Sequence, residues 1–448
     1  MFKASRMKKA AMLSASLALC ATIGVSAALA GPSPSASEDA SSDSTSEDML
    51  VEDWGARYPL EYGSFVEETV KDGRLEGHYS LKAKLLAPGE RVVRADGQTD
   101  TKLVDTDGDY NTGDVIVHGL EYDPNEQRWF VPITDLDDLS GTRERMGCYS
   151  CKSKNYDYWL EDYGANSFTE KMTGDFVSYM NGQVWSCNTC HDGDPATSAP
   201  DATLTYWLTL SHGKEEQIDA GDRVCGQCHN SYDHRSRITS QEVMESFEPY
   251  QYGFDVESVY KAAMEDGIYT TDELGIDISC LDHPDVEFMQ NSAHDLAGLT
   301  CVDCHMPATT DEESGTEFTY HNASASPTDN PVAMETCLTC HASDDIQSAD
   351  DMLAMVRDTQ AQAASMIEEL DGKFTQAHDA IAAAIDNGVD EQLVQQARDD
   401  YSLAEAFYHY TKGGKDDGSK IVHNAAVGFE NYERSGELLD GIIASLNA

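Results

Sequence analysis

Apolar residues recur at every third or fourth position in the C-terminal part of the chain, residues 344–448. The repeat runs from Met352 to Ile381, and a stripe of this kind on one face is typical of an amphipathic helix. Asn387-Gly388 follows as a stop signal. The pattern beyond it predicts a second helix from Asp390 to about Thr411 and a third from about Ile421 to Ser445. We expect these helices to form a core or a dimer contact.

The N-terminal residues have the pattern of a targeting segment. The basic stretch MFKASRMKK precedes an apolar run, and Ala28-Leu29-Ala30 has the small residues of a cleavage site. Residues 1–30 are therefore predicted to be a signal peptide, with an uncleaved membrane anchor as the alternative. Residues 31–50 are mostly Ser, Asp, Glu and Pro, which cannot form a core, and are predicted to be a disordered linker. The folded protein is expected to be extracytoplasmic, either periplasmic or tethered to the outer face of the cytoplasmic membrane.

Residues 51–343 show no long periodic pattern. Clusters of Gly, Asp, Asn and Ser separate short helical patches, which predicts loop-rich packing around something large. The expected fold is therefore mainly α, with a loop-rich N-terminal domain at 51–343 and a helical C-terminal region at 344–448.

The charge balance is strongly acidic. The 448 residues include 81 acidic and 30 basic ones, for a formal net charge of −51. Because phosphate binding depends on Lys and Arg, nucleic acid is excluded as a partner.

Cysteine pairs are the main chemical signal. Five Cys-x-x-Cys pairs lie in the N-terminal domain, and we number the sites in chain order: Cys148/Cys151, Cys187/Cys190, Cys225/Cys228, Cys301/Cys304 and Cys337/Cys340. The odd cysteine in this region is Cys280.

Zinc, disulfides and covalent haem are the alternative explanations of these pairs. Zinc sites use two such pairs per ion, so five pairs leave one over, and zinc gives no reason for a histidine after the second cysteine. Disulfides form outside the cytoplasm, but a bridge between residues only three apart closes a strained ring. A c-type haem takes both thiols and uses the next residue as an axial ligand. The last four pairs are followed by His191, His229, His305 and His341. The sequence therefore predicts a multihaem cytochrome c.

The first pair differs, because Lys152 occupies the position of the axial histidine. A lysine binds iron only as the neutral amine, so the metal and burial must displace its proton. Electron relay does not need such a ligand. Lys152 therefore indicates one iron with an amine on one side and an open position for substrate on the other.

One Cys-x-x-Cys-Lys followed by four Cys-x-x-Cys-His resembles the pentahaem ammonia-forming cytochrome c nitrite reductases. The segment WGARYPLEYGSF is similar to the opening of that family, and CVDCHMP at the fourth site is similar to the corresponding family site. The C-terminal helices resemble the long dimer-forming helices of the family. The resemblance covers roughly residues 52 to 445, with a poor match between 80 and 140.

The resemblance implies further site residues. It implies a catalytic Tyr232, three residues after His229, and a catalytic His283 before Pro284. It also implies distal iron ligands at His294 for the fifth haem, His321 for the second and His423 for the fourth. For the third haem it implies His78, which fits better than His118.

The chain departs from the family around the implied active site. Ser231 replaces a Glu, and Cys280-Leu281-Asp282 replaces Lys-x-Gln. These family positions support a calcium ion, for which the Tyr232 carbonyl and Asp282 remain as oxygen ligands. The family's active-site Arg has no counterpart at the expected place; the nearby candidates are Arg128, Arg143 and Arg145.

The resemblance implies six-electron reduction of nitrite to ammonium at the Lys152 haem, fed by four bis-His haems. It also implies a homodimer and a membrane quinol-oxidising cytochrome as electron donor. Two other functions remain open: a multihaem electron-transfer protein that serves another extracytoplasmic reductase, and a reductase of another small oxyanion or of hydroxylamine. Ser231, Cys280 and the missing Arg favour these alternatives, whereas Lys152, Tyr232 and His283 favour an enzyme.

Overall fold

A computed structural model provides the structure of the chain. Besides short strand segments between 70 and 130, it describes residues 55–66, 146–171, 173, 175–176, 186–197, 199–231, 238, 240–248, 250–279, 281, 284–322, 326–413 and 417–447. The predicted signal peptide and linker lie outside these residues. Within them, no helix is both long enough and apolar enough to span a membrane.

Helices dominate the described part of the chain. In chain order they are α1 Pro59–Val66, α2 Asp157–Tyr163, α3 Thr205–Leu210, α4 Ala220–Gly226, α5 Gln241–Ser246, α6 Val256–Glu265, α7 Asp285–Met289, α8 Ala293–Leu296, α9 Cys301–His305, α10 Pro331–His341, α11 Ala349–Asp386, α12 Glu391–Lys412 and α13 Ala425–Leu446. Short 3-10 turns connect them, among them Met146–Tyr149, Cys187–Thr189 and Ser419–His423.

The strands are short and antiparallel. They are β1 Val70–Lys71, β2 Arg74–Leu75, β3 Ala83–Lys84, β4 Val92–Val93, β5 Thr99–Asp100, β6 Val104–Asp105, β7 Glu121–Asp123, β8 Arg128–Phe130, β9 Thr270–Thr271, β10 Asp277–Ile278, β11 Ala308–Thr310 and β12 Glu317–Thr319. Strands β1, β2, β7 and β8 form one sheet in that order, and the others pair in twos. The predicted mainly α-helical fold, with a loop-rich region before long C-terminal helices, is confirmed.

The long C-terminal helices have clear end signals. The Ser348 hydroxyl accepts a hydrogen bond from the Asp351 amide at 3.2 Å, which caps α11 at its start. The same helix ends at Asp386, directly before the predicted stop at Asn387-Gly388. The helix α12 ends before Gly413, whose φ of 56° lies in the left-handed region.

The third long helix begins later than the periodicity predicts. It starts at Ala425, because Asn424 has a non-helical backbone with φ −155° and ψ 69°. The predicted start, Ile421, lies instead in the 3-10 turn Ser419–His423. His423 therefore lies on a tight turn directly before α13.

The apolar stripe of α11 packs against α12 and α13 as the pattern predicts. Ile367, Leu370 and Ile381 are buried in one cluster with Tyr408 and Leu439. This burial supplies the main driving force for assembling the three helices. The outer face of α11 is acidic, and its exposed carboxylates are Asp350, Asp351, Asp358, Glu368, Glu369, Asp371, Asp379 and Asp386. The basic residues of this helix are Arg357 and Lys373.

Gly418 lets the turn before α13 lie against α11. Its φ is 72°, in the left-handed region. A Cβ atom there would lie 2.3 Å from the Gln360 carbonyl oxygen and 2.7 Å from the Ala364 amide nitrogen. Because both neighbours are backbone atoms of a long helix, they cannot move aside cheaply.

We expect Gly418→Ala to lower the free energy of unfolding by at least about 3 kcal/mol, because its methyl group meets the α11 backbone. Gly388→Ala is the matched control, since Gly388 also has a left-handed φ of 67° but nothing within 4 Å of its Cβ position. Left-handed strain alone should cost this control about 1 kcal/mol. Chemical unfolding followed by circular dichroism measures both, and equal losses would contradict the close approach.

Candidate functional site

Each predicted attachment site occupies a single helical turn or its edge. The first cysteine of the first site lies in the turn Met146–Tyr149, and the second site begins with the turn Cys187–Thr189. Helix α4 carries Cys225, α9 spans the whole fourth site, and α10 ends with the fifth. Residues three apart in a helical turn share one face, which favours attachment of both cysteines of a pair to one group.

The five sites are neighbours in space. The Cys228 thiol donates to the Cys151 carbonyl oxygen at 3.0 Å, which joins the third site to the first. A hydrogen bond between the Cys225 and Cys301 thiols joins the third site to the fourth. Cys190 lies near Cys225, and Cys304 lies near Cys337, close enough for electrostatic interaction. The third site therefore contacts the first and the fourth.

The cysteines whose side chains are described are free thiols, and all but one are buried or half-buried. Burial raises the pKa of Cys187 to about 12, and burial together with nearby thiols does the same for Cys190. Burial, with the neighbouring Cys337, raises the pKa of Cys304 to about 11. Such thiols are protonated at neutral pH and are not available as exposed redox sensors.

Cys340 is the exception among the cysteines whose side chains are described. Its side chain is exposed, whereas Cys337, three residues earlier, is half-buried. Burial falls along α10 from Ala333, which is 1% exposed and packs against α11, because the last turn of the helix extends past that cluster. The role of Cys340 in the fifth site therefore depends on its spacing from Cys337 and His341, and it stays a prediction.

Three pairs of histidines face each other across the domain. The ring centroids of His191 and His321 are 6.3 Å apart, those of His305 and His423 are 6.2 Å apart, and those of His294 and His341 are 6.0 Å apart. Two metal–nitrogen bonds of about 2 Å each, with half a ring on either side, give a separation of about this size. Each pair joins a histidine that follows a Cys-x-x-Cys to a distant one that the resemblance implies as its partner. The described residues therefore fit bis-histidine haem at three sites.

These imidazoles are in the protonation state that iron requires. Burial, assisted by His321, lowers the pKa of His191 to about 4, and burial lowers that of His423 to about 3. Burial also lowers the pKa values of His294, His321 and His341. At neutral pH all five rings are uncharged and can present a nitrogen lone pair to a metal.

Lys152 is fully buried beside an aromatic cluster. Its side chain has 0% exposure, and its Nζ lies 4.9 Å from the centroid of the Tyr149 ring. The rings of Tyr149 and Trp159 each make edge contacts with Phe176. The aromatic wall excludes water from the side of the first site on which the lysine lies.

His229, in the third site, contacts a buried carboxylate. Its Nδ1 lies 2.7 Å from Asp285 Oδ2, and the Lys420 ammonium lies 2.5 Å from the same oxygen. Burial alone would raise the pKa of Asp285, but Lys420 and His229 together hold it well below its usual range. The carboxylate is therefore charged at any working pH.

Glu287 is a buried acid that the sequence reasoning missed. It is 1% exposed, and its Oε1 accepts hydrogen bonds from the Ser231 amide at 2.9 Å, the Ser231 hydroxyl at 2.8 Å and the Tyr250 hydroxyl at 2.9 Å. Its Oε2 has no hydrogen-bond partner among the described residues. Burial raises the pKa of Glu287 to about 7, although the hydrogen bonds from Ser231 and Tyr250 act to lower it. The available signal was an acid flanked by Val286, Phe288 and Met289 in a helix close after His283.

Several predicted residues lie outside the described part of the chain. For Cys148 and Arg128 only the backbone is described; the others are His78, His118, Arg143, Arg145, Tyr232, Cys280, Asp282 and His283. The proposed calcium ligands and the proton-donating pair therefore remain predictions. Their described neighbours do meet. Ser231, which precedes Tyr232, donates a hydrogen bond to Glu287, and Pro284, which follows His283, caps the helix that carries Glu287.

Comparison with known proteins gives a consistent family. The sequence profile of cytochrome c552 matches residues 125–429. A cytochrome c-552 of Bacteroides fragilis is 27% identical over 356 residues, which cover 77% of this chain and 66% of the relative. One from Haemophilus ducreyi is 27% identical over 287 residues, or 59% of this chain and 54% of the relative. This chain thus spans just under two thirds, or less, of these relatives.

Among solved structures, cytochrome c nitrite reductase from Desulfovibrio desulfuricans has a similar fold. The TM-score is 0.59 at 19% sequence identity, covering 89% of this chain and 86% of the other. The description of that protein names two calcium sites in its catalytic subunit.

Glu287 should make the stability of the protein depend on pH. Its pKa is about 7 in the folded state and near the ordinary value of 4.5 when unfolded. The stabilising protonated form is fully present below about pH 4.5 and is lost as the pH rises through about 7, a change of about 3 kcal/mol.

We therefore expect Glu287→Gln to gain stability relative to the wild type between pH 4.5 and pH 8, in urea unfolding followed by circular dichroism. The exposed Glu368→Gln is the control and should track the wild type at every pH. A Glu287→Gln difference that does not vary with pH would exclude ionisation of this carboxyl in that range.

Proposed function

The chain belongs to the cytochrome c552 family, and from this membership we propose that it is a pentahaem c-type cytochrome that reduces nitrite to ammonium. The observation that carries the proposal is the facing of three imidazole pairs at 6.0 to 6.3 Å, each beside a Cys-x-x-Cys pair. The haems of the second to fifth sites would relay electrons, and the haem of the first site, at Lys152, would bind the substrate.

The proposed ligand set follows the numbering of the sites. Lys152 would bind the first iron, and His229 the third, with His78 rather than His118 opposite it. The facing pairs would hold the other three: His191 and His321 the second, His305 and His423 the fourth, and His341 and His294 the fifth. The thiols of the five Cys-x-x-Cys pairs would attach the haems covalently, including the exposed Cys340 at the edge of the fifth site.

A bound c-type haem supplies a one-electron couple and, where one axial side is open, a position for a small ligand. The protein's part is to hold these groups close together. The contacts of Cys228 with Cys151 and of Cys225 with Cys301, and the proximity of Cys304 to Cys337, support a relay from the fifth site to the first. Closely spaced centres suit a reaction that needs six electrons per substrate.

The proposed proton chemistry lies with Tyr232 and His283. His283 would donate protons, since an imidazole titrates near working pH, and the Tyr232 hydroxyl would orient or donate to bound species. Glu287 supports this proposal for two reasons. Its carboxyl accepts a hydrogen bond from Ser231, next to Tyr232, and its helix begins directly after Pro284, next to His283. The carboxyl is also close to half protonated near pH 7. Calcium is proposed to bind the Tyr232 carbonyl oxygen and Asp282. One carboxylate of the family's calcium site is missing from this chain, because Ser231 replaces a Glu.

The proposal includes a place and partners. The protein would act outside the cytoplasm, free in the periplasm or tethered to the membrane, and receive electrons from a membrane quinol-oxidising cytochrome. The region 344–448 would form a homodimer contact. The acidic charge of −51 offers no surface for nucleic acid.

A multihaem electron-transfer protein is the second candidate, and Ser231 is the observation that favours it. Loss of the calcium-supporting carboxylate and of a clear active-site Arg would leave the relay intact while removing substrate chemistry. A relay protein need not bind cyanide or nitrite at a high-spin iron, whereas a reductase must. A reductase of another small oxyanion, such as sulfite, or of hydroxylamine would keep both the electron relay and a high-spin iron that binds a substrate.

The haem content is directly measurable. The chain, produced in a host that matures c-type cytochromes, is expected to carry five haems in the pyridine haemochrome assay. Cys148→Ser combined with Cys151→Ser should leave four, because only the first site loses its thiols. A purified chain without covalent haem, or a double variant that keeps five, would contradict the assignment.

Nitrite turnover tests the proposed activity. The reduced protein is mixed with nitrite, and ammonium formed is compared with electron donor consumed; we expect six electrons per ammonium. His283→Ala should slow turnover about hundredfold or more through loss of a proton donor, and Lys152→His should abolish it. His212→Ala is the control, since this exposed histidine contacts only the Met244 carbonyl oxygen among the hydrogen bonds described.

Absence of turnover from a protein that carries all five haems would reject the nitrite reductase. Cyanide binding to a high-spin haem in that protein would then favour another substrate, and no binding would favour electron transfer.

A further inference from the structure

The third site has a charged acceptor on its histidine. Asp285 Oδ2 lies 2.7 Å from His229 Nδ1, with side-chain exposures of 12% and 31%. Nε2, the opposite ring nitrogen, is the atom that would bind iron in the proposed ligation by His229. In this geometry the Nδ1–H donates to a carboxylate, the arrangement that raises the basicity of a metal-bound imidazole.

The other proposed ligands differ at the same atom. His321 Nδ1 lies 2.6 Å from the Thr319 carbonyl oxygen, which is a neutral acceptor. His423 Nδ1 is buried and has no hydrogen-bond partner among the described residues. Among these three ligands, only His229 has its Nδ1 hydrogen-bonded to a full negative charge.

Lys420 modulates the charge. Its Nζ lies 2.5 Å from Asp285 Oδ2, with 17% exposure, so the ammonium competes with the imidazole for the same oxygen. Lys420 also lies in the turn Ser419–His423, which carries the proposed distal ligand of the fourth site. The Asp285 carboxylate thus contacts His229 of the third site and also Lys420, which lies in the turn that carries the proposed ligand of the fourth haem.

The helix that carries Asp285 is fixed on both sides. The Val286 amide donates to the His229 carbonyl oxygen at 3.1 Å, and the Asn424 side chain donates to the Phe288 carbonyl oxygen at 3.0 Å. The carboxylate is therefore held in place by backbone contacts that do not depend on its own charge.

We propose that Asp285 lowers the reduction potential of the haem iron held by His229, and that Lys420 limits this effect. A more basic imidazole stabilises the oxidised iron, and a negative charge nearby opposes the addition of an electron. The third site contacts the first through Cys228 and Cys151. A low-potential centre there is a strong reductant placed next to the Lys152 site.

This inference rests on the proposed ligation by His229 and not on nitrite as substrate. Its test therefore uses potentials of the purified protein without substrate, followed by visible and EPR spectroscopy. Haem content is measured first, so that a missing haem is distinguished from a shifted potential.

Asp285→Asn and Lys420→Met are expected to move the potential of the third haem in opposite directions, and to move it more than the potential of the fourth haem, whose proposed ligand His423 lies in the same turn as Lys420. Asp285→Asn removes the charge and should raise the potential, with the equilibrium constant for reduction changing about tenfold, or about 59 mV for one electron. Lys420→Met leaves the carboxylate uncompensated and should lower the same potential. The EPR signal of that haem should change in both variants.

Asp201→Asn is the matched control, because Asp201 forms an ion pair with Arg223 of α4 and, among the contacts described, meets no proposed iron ligand. It should leave all potentials unchanged, and Asp285→Glu should restore the wild-type value by keeping the charge. Shifts of Asp285→Asn and Lys420→Met in the same direction would indicate general disruption and overturn the proposal. So would a protein with all five haems in which Asp285→Asn shifts no potential, or shifts it no more than the control.

Discussion

An imidazole can bind iron only while it is uncharged, and in this chain burial maintains that state. The facing rings of His191 and His321, and of His305 and His423, lie where a proton would be poorly solvated. The fold must therefore exclude water from each pair and still hold the rings at a fixed separation. Short helical turns around the cysteines and a loop-rich connection between them satisfy both requirements, because each ring is positioned by a different segment.

The C-terminal helices contribute more than bulk to this arrangement. Their buried faces form one cluster, and the turn between α12 and α13 brings Lys420 and His423 to the attachment sites. That turn lies against α11 through Gly418, where a side chain would meet the helix backbone. The packing of a helical region that carries no attachment site of its own thus determines where a proposed iron ligand lies.

Local patterns in the sequence predicted the parts of the structure that depend on local physics. The apolar stripe of α11 and the stop at Asn387-Gly388 are both found, since amphipathic spacing and a left-handed glycine act over a few residues. The start of α13 was placed four residues too early, because the break at Asn424 is an irregular backbone conformation without a composition signal.

Contacts between distant segments had no such local signal. Resemblance to a family predicted which histidines would face each other, whereas spacing alone could not. The contact of His229 with Asp285, and that of Ser231 with Glu287, joins residues 56 positions apart. An acid in a short helix is read as a surface residue until the fold is known, because acidic residues are rarely buried.

The acidic outer face of α11 also affects how copies of the chain can meet. Two such faces brought together would place carboxylates opposite carboxylates, with Arg357 and Lys373 as the basic residues of each helix. Like charges at the surface repel over about 10 Å at 0.1 M salt and over about 3 Å at 1 M. Any association through this face would therefore depend on counter-ions and would strengthen as the salt concentration rises.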